Sequence, residues 1–329
     1  MNSLEPKLVT VFGGSGFLGT QVAQALAQRG HRVRVAVRRP NATRHVTLLG
    51  GGVGQVARIQ ANIRNLPSIE RAIAGADIVV NLVGVGYERG EQTFDAVHNK
   101  GAVMIADAAK RLGATHLVHM SALGVDKAAQ VSVYADSKLA GERGVLRAFP
   151  SAVIVRPSIL FGPDDGFFNL MGSLAKWFPI LPLIGGETRF QPAFVGDVAE
   201  AIAMAAEGLV KTGRIYELGG PQIETYRQLM ERVKRETQRN RPLLPLPAGI
   251  AKLMALPFAI LPFPPLVTSD QVELLGVDNV VSDEAIREKR TFAAFGITPI
   301  AMDTILPSYM WRFRKHGQFD KPAASGSKA

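Results

Sequence analysis

Apolar and polar positions along this chain follow two rhythms. Residues 8–12 form an apolar run that stops at Gly13-Gly14. Gly16 and Gly19 follow, and an apolar-periodic segment opens over 22–26. Gly30 supplies a helix stop, and 32–37 (RVRVAV) alternates strictly, the period of a strand. Residues 56–63 read as a third strand and 66–74 as a helix. Residues 77–83 (DIVVNLV) are almost continuously apolar, as expected of a strand buried on both faces of a parallel sheet. An Ala-rich helical period covers 93–111, a fifth strand 116–121 and a sixth 152–155. Strands alternating with helices predict an α/β fold, a doubly wound parallel sheet with right-handed crossovers. Ligands of such sheets sit at the carboxyl ends of the strands.

The first turn carries the chemistry. In LVTVFGGSGFLGTQ a strand, a glycine turn and a helix start follow one another. This order suits a pyrophosphate. One glycine permits the turn, one lets backbone approach the phosphates, and one lets helix and strand pack closely. The free N–H groups at the helix start then face the anion. The sheet is therefore expected to be of the Rossmann type. Such sheets usually place an acid at the end of the second strand for the ribose hydroxyls of NAD. Here that position holds Arg38, 19 residues after Gly19, with Arg39 beside it and no acid near. An arginine fork suits a 2′-phosphate, so the expected cofactor is NADP(H).

Residues 1–160 are the expected nucleotide-binding domain, with the sheet completed by about 190–220. Segment 169–178 reads as a helix, and 191–206 with 214–218 returns the chain to the sheet. The stretches 161–189 and 221–329 then form a smaller cap, and the tail PAASGSKA is expected to be disordered.

Composition narrows the chemistry. The 329 residues include no cysteine, which excludes disulfides, zinc thiolates and iron–sulfur clusters. The six histidines do not cluster. His116 and His119 fall on opposite faces of one strand, so they read as structural and no metal site is expected. No apolar run is long enough for an unbroken membrane span, and the first residues lack a signal-peptide pattern, so a cytoplasmic protein is expected.

The net charge of +10 gathers in part at 227–241, where Arg227, Arg232, Lys234, Arg235, Arg239 and Arg241 face only Glu231 and Glu236. A solvated helix face is the first reading of that stretch, and a partner or anionic membrane surface the second. No nucleic-acid motif accompanies it. Segment 253–269 is uncharged and broken by Pro257, Pro262, Pro264 and Pro265. Segment 309–315 (YMWRFRK) interleaves aromatic with basic residues, a composition that suits an interface. Together these make the C-terminal half the expected docking side; buried interdomain packing is the equal reading of 253–269, and an ordinary fold-core role is the alternative for all three.

A second constellation lies downstream. Tyr134 and Lys138 form a Y-x-x-x-K which, on a helix, puts both side chains on one face. The ammonium would then lower the phenol pKa, and Tyr134 could serve as acid/base. Lys138 could also hold ribose hydroxyls. Ser121, 13 residues before Tyr134, could donate to a substrate carbonyl.

These residues together resemble a known family. GGSGFLG, VVNLVG, HMSA, the Tyr134/Lys138 pair, Arg156-Pro157 with Phe161-Gly162-Pro163, and VGDVA at 195–199 are similar to the extended short-chain dehydrogenase/reductase superfamily. AFPSAVIVRPSILFGPDD, QPAFVGDVA, LPFPPLVTSDQVELL and FGITPIAMDTILPSYMWRFR narrow the resemblance. They point to an atypical branch, typified by the NADPH-binding accessory subunit of respiratory complex I.

The resemblance implies NADP(H) at Gly13, Gly16 and Gly19, with Gly14, Ser15, Phe17 and Leu18 completing the loop. It puts Arg38 and Arg39 at the 2′-phosphate, Asn62 and Ile63 near the adenine, and Val83-Gly84 beside the ribose. Pro157, Tyr134 and Lys138 complete the cofactor set. It also implies an accessory or assembly subunit of NADH:quinone oxidoreductase with a structural cofactor, peripheral on the inner face of a respiratory membrane. An active NADPH-dependent reductase or epimerase using Tyr134, Lys138 and Ser121, and an NADP(H)-sensing regulator, are the alternatives. Sugar dehydration is disfavoured, because Ala122-Leu123-Gly124 follow Ser121 where a dehydratase carries its acid/base pair.

Overall fold

The structure is a computed structural model that describes residues 5–251 and 268–317. Its centre is a seven-stranded, wholly parallel sheet. The strands are β1 (Leu8–Phe12), β2 (Arg32–Val37), β3 (Val56–Gln60), β4 (Ile78–Asn81), β5 (His116–Met120), β6 (Val153–Pro157) and β11 (Ile215–Leu218). Their order is β11-β6-β5-β4-β1-β2-β3. Three two-stranded pairs lie outside the sheet: β7 (Leu160–Phe161) with β10 (Ala193–Phe194), β8 (Leu181–Leu183) with β13 (Leu243–Pro245), and β9 (Arg189–Phe190) with β12 (Glu224–Thr225).

The apolar runs are explained by burial on both faces. Val9 and Val11 of β1 face α1 (Phe17–Gln28) and α7 (Val195–Ala206), in a cluster with Val22, Leu26, Val198 and Ile202. Phe12 joins the opposite cluster, built from α2 (Leu66–Ile73), α3 (Gly101–Arg111) and α5 (Val133–Ala148), with Ile69, Ile73, Ile105 and Val145. Thr10 also faces that side, and its hydroxyl donates to the Ala72 carbonyl at 2.8 Å. A third cluster binds the remaining helices, α6 (Phe167–Trp177), α8 (Tyr226–Thr237) and α11 (Met302–Met310), around Phe161, Phe168, Leu229 and Leu306. Phe292 and Phe295 lie with the sheet's core, beside α7.

Three differences from the sequence reading position the site. Strands three and four end at Gln60 and Asn81, short of 63 and 83, because the chain leaves the ladder there to form groove walls. The single helix expected over 93–111 is two pieces, a wide π-type turn at Asp95–Lys100 running into α3. The turn is pressed by α5: a Cβ on Gly141 would collide with the His98 carbonyl, and one on Gly144 with the Val103 side chain. Local widening of this kind often marks a functional segment.

The basic stretch is the third difference. Arg227, Glu231 and Arg235 are solvent-exposed, as a solvated face requires, but most of the stretch is engaged in ion pairs or hydrogen bonds. Arg232 is only 7% exposed and is paired with Glu224 and Asp303. Lys234 pairs with Glu231 at 2.8 Å, Arg235 with Asp303 at 3.3 Å and Arg227 with Glu187 at 3.4 Å. Arg239 donates to the Phe313 carbonyl at 2.6 Å and Arg241 to that of Ala175 at 3.0 Å.

Segment 309–315 is likewise sewn into the fold. The buried Tyr309 hydroxyl donates to Asp165, Arg312 donates to Asn169 at 2.6 Å, and Arg314 donates to the Glu236 carbonyl at 2.8 Å. Two of the three features that marked a docking side are thus spent internally. The third, 253–269, lies outside the described residues except for Thr268 and Ser269. Among the described residues no helix is long and apolar enough to cross a membrane.

The contact between α5 and the π-type turn can be tested directly. Gly141→Ala should destabilise the protein by about 1–3 kcal/mol, because the clash is with backbone and cannot be relieved by a rotamer change. Urea unfolding of the variant beside wild type measures it, and an unchanged midpoint would contradict the backbone contact.

Candidate functional site: a nucleotide groove and an apolar cavity at helix α5

The groove forms where β1, β2, β3 and β4 end. Gly13 has φ 77°, a backbone conformation that side chains resist, and a Cβ there would sit 3.1 Å from the Val83 nitrogen. A Cβ on Gly19 would collide with the Gly13 carbonyl and Gly14 Cα, so α1 can start this close to β1 only because position 19 has no side chain. Gly14 presses on Val35, where a Cβ would lie 2.8 Å from Cγ1. The groove between these elements has a volume of about 270 Å³.

Its lining includes Gly13, Ser15, Gly16, Arg38, Asn62, Ile63, Val83 and Gly84 from the set read in the sequence. Gly14, Leu18 and Gly19 pack behind it, and the Phe17 ring lies against Gly162. Arg39 is exposed and outside the lining, and Pro157 ends β6, also outside it. Sequence reasoning missed Arg64 and Gln92, both in the wall. Arg38 donates to the Gln92 side chain at 2.5 Å, and Arg64 pairs with Glu91 at 3.0 Å. No aspartate or glutamate lines the groove.

Helix α5 carries the second constellation. Ser132 caps its start by accepting from the Ala135 nitrogen. Lys138 is buried, its ammonium donates to the Met120 carbonyl at 3.2 Å, and a Cβ on Gly84 would lie 3.3 Å from it. The lysine therefore stands at the groove's Gly84 end. Tyr134, one turn earlier, packs its ring edge-on against Phe94 and His98, with centroids 5.6 and 5.1 Å away.

His98 has a determined role. The Val85 nitrogen donates to its Nε2 at 3.0 Å, so Nδ1 carries the proton and donates to Ser137 at 2.9 Å. Ser137 passes the chain on to the Tyr134 carbonyl at 2.7 Å. Burial, reinforced by Lys138, holds the His98 pKa down at about 3, so the ring is a neutral brace. His119 is similar. Val83 donates to Asn81 Oδ1, so Asn81 Nδ2 donates to His119 Nδ1 at 3.1 Å and the proton sits on Nε2. That Nε2 and the Ser121 hydroxyl are both buried and have no hydrogen-bond partner. Buried polar groups are seldom left so, and a pair here marks a place where a ligand's polar atoms are wanted.

The electrostatics differ from the sequence expectation. Tyr134 is pushed up to about 12, by burial first and by Asp270 second, rather than lowered by Lys138. Asp270 belongs to α9 (Ser269–Leu274) and grips the start of α5. It accepts from the Ser132 hydroxyl and the Val133 nitrogen, both at 2.8 Å. Burial lowers Lys138 to about 8.

Tyr134 also lines a separate cavity of about 490 Å³. Its walls include Leu123, Val125, Phe167, Leu170, Met171 and Leu274. Among the described residues no group of His, Asp or Glu is arranged to hold a metal.

Comparison with known proteins accords with this geometry. Residues 9–219 match the model of the NAD dependent epimerase/dehydratase family. The chain is 34% identical to NADH dehydrogenase [ubiquinone] 1 alpha subcomplex subunit 9, mitochondrial, of Arabidopsis thaliana, over 96% of this chain and 80% of that protein. It is 30% identical to the NADH-ubiquinone oxidoreductase 40 kDa subunit, mitochondrial, of Neurospora crassa, over 98% of this chain and 84% of that one. Among solved structures, the Thermus thermophilus UDP-glucose 4-epimerase in complex with NAD superposes with a TM-score of 0.66 at 18% identity, over 94% of this chain and 99% of that chain.

The depressed lysine gives a prediction with a definite sign. Between about 8 and the ordinary value of 10.5, the unfolded chain holds the Lys138 proton and the folded chain does not. Raising pH through that window should therefore increase this group's contribution to stability. The unfolding free energy of wild type should rise relative to that of Lys138→Met as pH is raised across the window. Parallel pH profiles would show that Lys138 is not buried as described.

Proposed function

Since this chain belongs to the NAD dependent epimerase/dehydratase family, in the branch of alpha subcomplex subunit 9, we propose that it is an NADP(H)-binding accessory subunit of a respiratory NADH:quinone oxidoreductase. The observation that carries the cofactor choice is the charge of the groove. Arg38 and Arg64 line it and no carboxylate does. A carboxylate at the end of β2 would accept from ribose hydroxyls and repel a 2′-phosphate, whereas a guanidinium pairs with that phosphate through two parallel donors.

In this reading Gly13, Ser15 and Gly16 cradle the pyrophosphate at the start of α1. Asn62 and Ile63 flank the adenine, and Val83 and Gly84 flank a ribose. Lys138 holds the nicotinamide ribose from above Gly84. The bound dinucleotide would supply a hydride. Tyr134 is poorly disposed to complement it: a carbonyl that takes the hydride needs a proton from the phenol, and burial with Asp270 raises that phenol to about 12, making it a weaker acid than an ordinary tyrosine. This favours a structural cofactor. Ser121, with its free hydroxyl, and the Tyr134/Lys138 pair retain the parts of a reductase, which is the second reading.

The partner assignment rests on relatives that are named as subunits of that oxidoreductase and match nearly the whole chain, cap included. No helix among the described residues crosses a membrane, so peripheral attachment at the inner face of a respiratory membrane fits.

Two measurements test this. Arg38→Ala should weaken NADPH binding about ten- to hundredfold, the value of one charge-assisted contact, and leave NADH affinity nearly unchanged. Equal NADPH and NADH affinities in wild type would refute the assignment. Native protein purified from detergent-solubilised membranes should bring oxidoreductase subunits with it. Its nucleotide should stay reduced when carbonyl compounds are added. Recovery of the chain alone, with rapid oxidation of the nucleotide, would favour the reductase.

A further inference from the structure

We propose that the cavity beside Tyr134 is a binding site for a neutral, largely apolar molecule bearing a single carbonyl or hydroxyl group, and not for a nucleotide sugar. Its volume of about 490 Å³ is that of a small-molecule site. Its main walls are the chain after β5, with Leu123, Val125 and Ala128; helix α6, with Phe167, Leu170 and Met171; and residues 271–279 of the cap, with Tyr134 of α5, Ile159, Phe190 and Tyr226 completing it. Among the described residues no lysine, arginine or histidine lines it. A nucleotide sugar carries two phosphates, which protein sites hold with guanidinium or ammonium groups. The one formally charged side chain in the wall is Asp278, already paired with Arg189 at 2.7 Å, and its sign would repel a phosphate.

The other polar groups of the wall are occupied. Asn279 accepts from Ser158 at 2.6 Å and donates to the Leu123 carbonyl at 2.7 Å. Gln271 closes a capping box with Thr268, and the Tyr226 hydroxyl points at the Met171 sulfur, 3.7 Å away.

One end differs. The Tyr134 hydroxyl makes no hydrogen bond to a described residue. The site therefore offers one free hydroxyl, that of Tyr134, for a single polar head, and the rest of its described wall is apolar or already engaged. A ligand with one oxygen function and a hydrocarbon body satisfies both without leaving a buried charge unpaired. This inference goes beyond the accessory-subunit reading and does not require the nucleotide.

The test uses Nile red, a neutral apolar fluorophore, with the full chain. It should bind at one saturable site, be displaced by decanophenone and not be displaced by UDP-glucose. Leu274→Lys and Leu170→Gln, each in the cavity wall, should weaken binding about tenfold or more by placing a polar or charged group in it. If Leu274→Lys does not fold, Leu274→Gln replaces it with the same direction of change. Absent or unsaturable binding, indifference to these substitutions, or displacement by UDP-glucose would each overturn the proposal. NADPH titrations on the same samples keep the two readings apart. Lost nucleotide affinity with intact Nile red binding would count against the nucleotide groove alone, and the reverse against the cavity alone.

Discussion

Two close approaches of backbone to backbone fix everything that matters in this molecule. At the first, α1 begins against the β1 turn because Gly19 has no side chain to strike Gly13. That brings the free N–H groups of a helix start to the floor of the groove, where an anion gains from both donors and dipole. At the second, α5 lies on the π-type turn because Gly141 has no side chain to strike His98. That sets Lys138 over Gly84 and Tyr134 against Phe94 and His98. The groove's two ends are thus each held by a glycine contact, and the sheet between them, apolar on both faces, keeps them in register.

The cap works on this arrangement through one carboxylate. Asp270 sits at the start of α5, where it satisfies the Ser132 hydroxyl and the Val133 nitrogen. Structurally this is favourable, since a negative charge at a helix N-terminus meets the positive end of its dipole. For acid/base chemistry it is unfavourable, because the same charge stands near a phenol that would have to ionise. The helix end that would assist a tyrosinate is occupied by a competing anion. Asp270 is thus one of the contacts that tie the cap to the nucleotide-binding part, and it adds to burial in raising the tyrosine pKa.

Much of this was legible in the sequence. The apolar runs, their spacing and the glycine turn imply the parallel sheet and the groove floor because those depend on local period and on residues within one turn of chain. What was not legible depends on contacts far apart in sequence. Asp270 reaches a helix start 136 residues before it. Three acidic partners of the basic stretch, Glu187, Glu224 and Asp303, come from other segments, so a count of charges within 227–241 could not show these pairings. The π-type turn arises from pressure by α5 and leaves no period of its own. Arg64 and Gln92 stand in connecting segments without a motif. The lowered tyrosine pKa was a correct inference from a Y-x-x-x-K pair taken alone, and burial with a distant carboxylate reverses it.

A role for a nucleotide that is never consumed follows from the same physics. Lys138 is buried with one carbonyl for company, and its pKa of about 8 measures how poorly the folded protein solvates its charge. Arg38 and Arg64 line a groove with no carboxylate of its own. Arg64 is paired with Glu91, whereas Lys138 and Arg38 have only neutral hydrogen-bond acceptors, the Met120 carbonyl and the Gln92 side chain. A dinucleotide phosphate would bring ribose hydroxyls to the first and phosphate to the second, and it would bridge the ends of β1, β2, β3 and β4 in doing so. Because the unfolded chain has no such groove, binding adds directly to stability by mass action. A chain built this way has a use for a nicotinamide nucleotide even if the hydride never moves, because a bound nucleotide favours the folded state.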